Sequence, residues 1–180
     1  MDFLAINKSL DKIEIGLEKY RNIMDRLYKT DTSVDKEFQR NFNAFYRIRQ
    51  RTPEFYNCYY GLLEDSKDKK VSFEEVIRYI YERLGRIEPS FSSKLVATID
   101  LEKPVWDSFV LKNLGLKPPY YSDKDRLNKN VLLYGKICEW YDNYLQTDEA
   151  KEVIELFNKR YPDISISNVK KIDLILWQIR

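Results

Sequence analysis

Histidine is absent from all 180 residues, and with it go serine–histidine triads, histidine general bases and His-ligated metals. The two cysteines, Cys58 and Cys138, are too few for an iron–sulfur cluster or an all-cysteine zinc site. No metal and no cofactor is therefore expected, and free thiols in a reducing, intracellular (cytoplasmic) compartment are the default. Glycine (5) and proline (6) are scarce, which argues against a turn-rich β sandwich. No apolar run approaches the roughly 18 residues that a membrane span needs, and Met1 leads into a charged amphipathic pattern, so neither a membrane partner nor a targeting segment is expected. Charge of one sign is also lacking: 31 Lys and Arg stand against 29 Asp and Glu, so contact with nucleic acid has to come from a local patch.

What is present is helical periodicity. Phe3, Ile6, Leu10, Ile13, Leu17, Tyr20, Met24 and Leu27 recur at spacings of three and four, which predicts one long amphipathic helix. At about four heptads, that seam is expected to pack inside its own domain rather than to form a homodimer through residues 3–27. Ser33 is the expected cap of a second helix, whose buried face carries Phe38, Phe42, Phe45 and Ile48. Arg40, Arg47, Arg49 and Arg51 make that region the most basic of the chain, a solvated flank or a phosphate contact. Thr52-Pro53 restarts the chain as a third helix, and Ser72-Phe-Glu-Glu75 is a capping box ahead of a fourth that Gly85 stops.

After a Pro118-Pro-Tyr-Tyr-Ser-Asp123 loop, Leu127, Val131, Tyr134, Ile137, Tyr141 and Leu145 predict a long helix over about 123–146. Thr147 or Asp148 caps another, closed by Tyr161-Pro162, and Ser167 precedes a last helix so apolar that it is expected to be buried on most sides. With no period-2 strand and no internal repeat, the class is all-α: about eight or nine helices in one domain spanning 1–180.

Chemistry concentrates in 88–116, where small hydroxyl residues, Ser90, Ser92 and Ser93, open an apolar segment and Asp107 follows Pro104 by three residues. Pro89-Ser-Phe-Ser-Ser-Lys94, then Pro104-Val-Trp-Asp-Ser-Phe-Val110, then Leu114-Gly-Leu116 resembles the helix-hairpin-helix DNA glycosylase superfamily, with serine where the family has its hairpin glycines. The resemblance implies a multi-helix fold of that type and a DNA partner. The implied activity is that of a base-excision repair hydrolase that flips a modified base and breaks its N-glycosidic bond, with or without lyase activity.

In that reading, backbone N–H groups around Ser90, Ser92 and Ser93, with Lys112, take DNA phosphate. Lys94, in the first turn of a helix whose dipole lowers its pKa, is the lyase nucleophile, and Asp107 stabilises the oxocarbenium-like sugar. Plainer alternatives stand beside each: a serine that caps a helix near Ser93, a surface lysine, and an acid that stabilises a helix start. Trp106, Trp140 and Trp177 are candidates for pocket walls or for core. Two other functions are a non-catalytic nucleic-acid binder of the same fold and a helical protein-interaction domain.

Overall fold

The computed structural model describes residues 3–179. Among them are ten α-helices and no strand, so the chain is all-α, as expected. The 1–180 span expected as one domain is made of two compact units, one of Ile15–Asp100 and one of the stretches that flank it.

The first unit holds α2 (Glu14–Leu27), α3 (Lys36–Tyr46), α4 (Pro53–Ser66), α5 (Phe73–Leu84) and α6 (Pro89–Ile99). Each start has a chemical cause. Thr52 accepts the Phe55 N–H ahead of Pro53, and Ser72 and Glu75 form the reciprocal capping box. Gly85, at φ 65°, closes α5 in the left-handed region that an L side chain rarely adopts.

The cap of α3 differs from expectation. Asp35 takes the N–H groups of Glu37 and Phe38, while Ser33 donates its hydroxyl to Asp31. Asp35 also accepts from Thr30 Oγ1 at 2.6 Å and from the Arg26 guanidinium at 2.9 Å. The Thr30 hydroxyl, the Phe38 N–H and Arg26 together hold its carboxyl well below the usual range. An acid depressed in the folded state stabilises the fold above its unfolded value of about 3.9 and loses that contribution as pH falls. Urea denaturation is expected to find Asp35→Asn less stable than the wild type at neutral pH, with the gap narrowing steadily below about pH 4.

The core of this unit is aromatic. Phe38, Phe42, Tyr46, Tyr59 and Tyr60 are buried together, with the Phe42 ring 4.7 Å from Tyr46 and 5.8 Å from Tyr60. The tyrosine hydroxyls find acceptors: Tyr60 donates to the Gln39 carbonyl and to Asn43, and Tyr59 to the Phe91 carbonyl. Through that last bond the aromatic cluster reaches α6, every residue of which from Phe91 to Thr98 is buried.

A helix surrounded on all sides needs small or self-satisfying polar residues. Ser92, Ser93 and Thr98 meet that need by donating to the carbonyls of Glu88, Ser90 and Lys94. The bend expected at Ser90 to Ser92 is thereby replaced by continuous helix, begun at Pro89, whose missing N–H costs nothing at the first position.

The second unit holds α1 (Phe3–Leu10), α7 (Ser108–Asn113), α8 (Arg126–Tyr144), α9 (Asp148–Arg160) and α10 (Asn168–Leu176), with α10 packed on α1, α7 and α9. The single helix expected over 3–27 is thus two, broken at Asp11 to Ile13, where Lys12 N–H turns back to the Ser9 carbonyl. The apolar rhythm runs through the break because Ile13 stays buried, and that hid the break from periodicity. Phe3 opens α1, and its side chain lies outside the described residues. Thr147 and Ser167 cap α9 and α10, and Val169 to Leu176 are all buried, as the apolar run of the last helix predicts.

Candidate functional site

Asp107 is positioned by the stretch before it. Pro104 and Val105 lie buried, and their backbone groups are fastened: Tyr134 donates to the Pro104 carbonyl at 2.9 Å, and the Val105 N–H points at both oxygens of Asp173, 3.3 and 3.2 Å away. Trp106 is buried next to them. Asp107 then takes extended dihedrals and caps α7, with Oδ1 accepting the Phe109 N–H at 2.9 Å.

Asp107 itself is half-buried, and Oδ2 has no hydrogen-bond partner among the described residues. One oxygen is anchored and the other is available. Asp107 was expected inside a first helical turn; the helix starts one residue later, at Ser108, and the acid is its cap. Leu114-Gly-Leu116 closes α7 with Gly115 at φ 69° and the Leu116 N–H on the Leu111 carbonyl, a Schellman stop. Lys112 is exposed in the last turn of the same helix.

Beneath this stretch lies a charged network that sequence reasoning missed. Asp173 and Lys170 are fully buried on α10 and paired at 3.1 Å, and Tyr141 of α8 donates to Asp173 at 2.6 Å. Burial raises the Asp173 carboxyl, against the opposing pull of Lys170, the Tyr141 hydroxyl and the Val105 N–H. Burial, followed by the Asp173 charge, raises the Tyr141 phenol well above its ordinary value, and the Asp107 charge adds to it. Tyr141 therefore feels both carboxylates. A signal existed: Asp173 is a lone acid inside Val169 to Trp177, with Lys170 one helical turn before it.

The remaining expected residues lie in the first unit, on α6. Ser92 and Ser93 are buried and Ser90 is half-buried, so their hydroxyls and N–H groups belong to the helix rather than to an outward turn. Lys94 sits in the second turn of α6, not the first, so the dipole argument for its amine does not carry over. Only 6% exposed, it holds its Nζ 5.1 Å from the centre of the Phe91 ring. Arg51 stands 4.7 Å from the same ring centre. The N-cap of α6, Glu88, is ion-paired with Arg51 at 3.6 Å and Arg86 at 3.4 Å.

The other tryptophans are spoken for: Trp140 stacks on Tyr144 at 4.7 Å, and Trp177 lies 5.7 Å from the Lys170 amine. A depression of about 350 Å³ between α1 and α9, lined by Asn7, Leu10, Asp11, Leu156, Lys159 and Arg160, contains none of the expected residues. Both thiols are half-buried, and burial pushes each of them up, away from nucleophilic character. Among the described residues no group of His, Cys, Asp and Glu could hold a metal ion, and no helix is long and apolar enough to cross a membrane. No family model matches the chain, and neither a curated protein nor a solved structure matches it.

Proposed function

We propose that the chain is a DNA glycosylase of the helix-hairpin-helix type, which excises a modified base with Asp107 as the carboxylate that faces the sugar. The observation that carries this reading is the carboxylate itself. It stands where the resemblance puts it, is clamped through one oxygen to the start of α7, and has its second oxygen uncommitted among the described residues. As the glycosidic bond breaks, positive charge grows on the sugar ring, and a fixed anion stabilises that charge more than it stabilises the ground state. Fixing Pro104 and Val105 through Tyr134 and Asp173 limits how far the acid can drift.

A lyase step would use Lys94 as the amine that attacks C1′, and α6 would have to move to uncover it. The experiment is incubation with duplexes carrying a panel of modified bases, read by strand cleavage after alkali and by borohydride trapping. Base release that disappears in Asp107→Asn is the expected result. A trapped adduct that disappears in Lys94→Ala adds the lyase step, and no release from any duplex rejects the enzyme reading.

A second reading has its own support. Arg40, Arg47 and Arg49 are exposed in the first unit and have no ion-pair partner among the described residues, an edge suited to phosphates. A non-catalytic binder of nucleic acid would show salt-dependent affinity that survives Asp107→Asn with no base released.

A further inference from the structure

Between α7 and α8 the chain runs Lys117-Pro-Pro-Tyr-Tyr-Ser-Asp-Lys124. Tyr120 and Tyr121 are 85% and 87% exposed, in a molecule that buries Tyr20, Tyr59, Tyr60 and Tyr141 almost completely. Two prolines fix the approach to them, and the Asp123 N–H on the Tyr120 carbonyl tightens the turn after them. These two rings are presented by a restrained backbone.

The charge around them is of one sign in effect. The loop's two acids are already engaged, Asp123 with Lys129 at 2.6 Å and Asp125 with the Asn128 amide at 2.7 Å. Lys112, Lys117 and Lys124 are exposed and have no carboxylate partner among the described residues, and the Arg126 guanidinium lies 4.6 Å from the Tyr121 ring centre. Flat aromatic faces flanked by unneutralised cations match a ligand that is at once planar and polyanionic, and in single-stranded nucleic acid the bases and phosphates alternate in that way.

We infer that the Tyr120–Tyr121 loop is a stacking platform for unpaired nucleobases, with Lys117, Lys124 and Arg126 holding the adjoining phosphates. Every base has a π-face, so the platform is tolerant of sequence. This contact stands apart from any chemistry at Asp107: a protein that releases no base still uses it, and an active Asp107 does not require it.

The test is the affinity of the full chain for a labelled single-stranded oligonucleotide across a series of salt concentrations, with circular dichroism as the check on folding. Tyr120→Ala and Tyr121→Ala are each expected to weaken binding about tenfold while leaving the salt slope unchanged, because bases lose a stacking partner but phosphates keep their cations. Tyr120→Phe with Tyr121→Phe is expected to keep wild-type affinity, since the ring and not the hydroxyl does the stacking. Lys117→Ala with Lys124→Ala is expected to flatten the salt slope by about two. Failure of the wild type to bind at low salt, equal affinity in the alanine variants, or a loss in the phenylalanine variant as large as in alanine overturns the proposal. Absence of base release alone overturns only the glycosylase reading.

Discussion

Asp173→Ala is expected to cost the fold about 3–5 kcal/mol, enough to leave a domain of ordinary stability marginally folded. Removing the carboxylate strands the Lys170 ammonium in a fully buried site and strips the Tyr141 hydroxyl and the Val105 N–H of an acceptor. Each of those groups was desolvated on the understanding that Asp173 is there. Most of the loss comes from the uncompensated charge, and a second variant isolates it. Lys170→Met with Asp173→Leu removes both charges at once and is expected to recover much of the stability, because replacing a whole buried pair with apolar groups is often neutral or favourable. Urea denaturation of the three proteins decides it, and a double variant no better than Asp173→Ala would show that the hydrogen bonds to Tyr141 and Val105 outweigh the charge. The same set has a functional readout: the double variant keeps α10 packed but frees Val105, so Asp107 loses part of its anchorage while the fold survives.

In the first unit the largest effect falls on Phe42. Its ring lies within 6.0 Å, centre to centre, of Phe38, Tyr46, Tyr59 and Tyr60, and none of these five side chains is appreciably exposed. Phe42→Ala is expected to destabilise by about 3–5 kcal/mol, combining lost transfer energy with a cavity that rigid neighbouring rings fill poorly. Phe42→Leu keeps most of the volume and is expected to lose much less. A thermal melt followed by near-ultraviolet circular dichroism separates them, and equal melting temperatures for both variants would contradict the packing described for this cluster.

How much of this was legible in the sequence depends on whether the deciding interaction is local. Ser72 and Glu75, Thr52 with Pro53, Gly85, Thr147 and Ser167 act on backbone groups within four residues, so their motifs could be read directly. The buried face of α3 follows from period alone, and Phe38, Phe42, Phe45 and Ile48 are all core.

Misreadings arose where one residue type serves two conformations. Serine caps a helix, but equally back-bonds inside one, and Ser92 and Ser93 do the latter because the surroundings of α6 leave room for nothing larger. Asp35 displaced Ser33 as a cap because Arg26 and Thr30, distant in sequence, reward a carboxylate at that place. At the candidate site, the acid at 107 was visible from its motif, whereas its support was not. Asp173 lies 66 residues further along, and only the folded chain brings its oxygens to the Val105 N–H.

The most direct test is the single-turnover rate of base release from a modified duplex by the wild type and by Asp107→Asn, measured beside their affinities for the same duplex. A carboxylate that meets charge developing on the sugar predicts a rate lower by at least about a hundredfold in the variant, with affinity and melting temperature little changed. Equal rates in the two proteins, or a loss of rate that only tracks a loss of folding, would contradict the role assigned to Asp107.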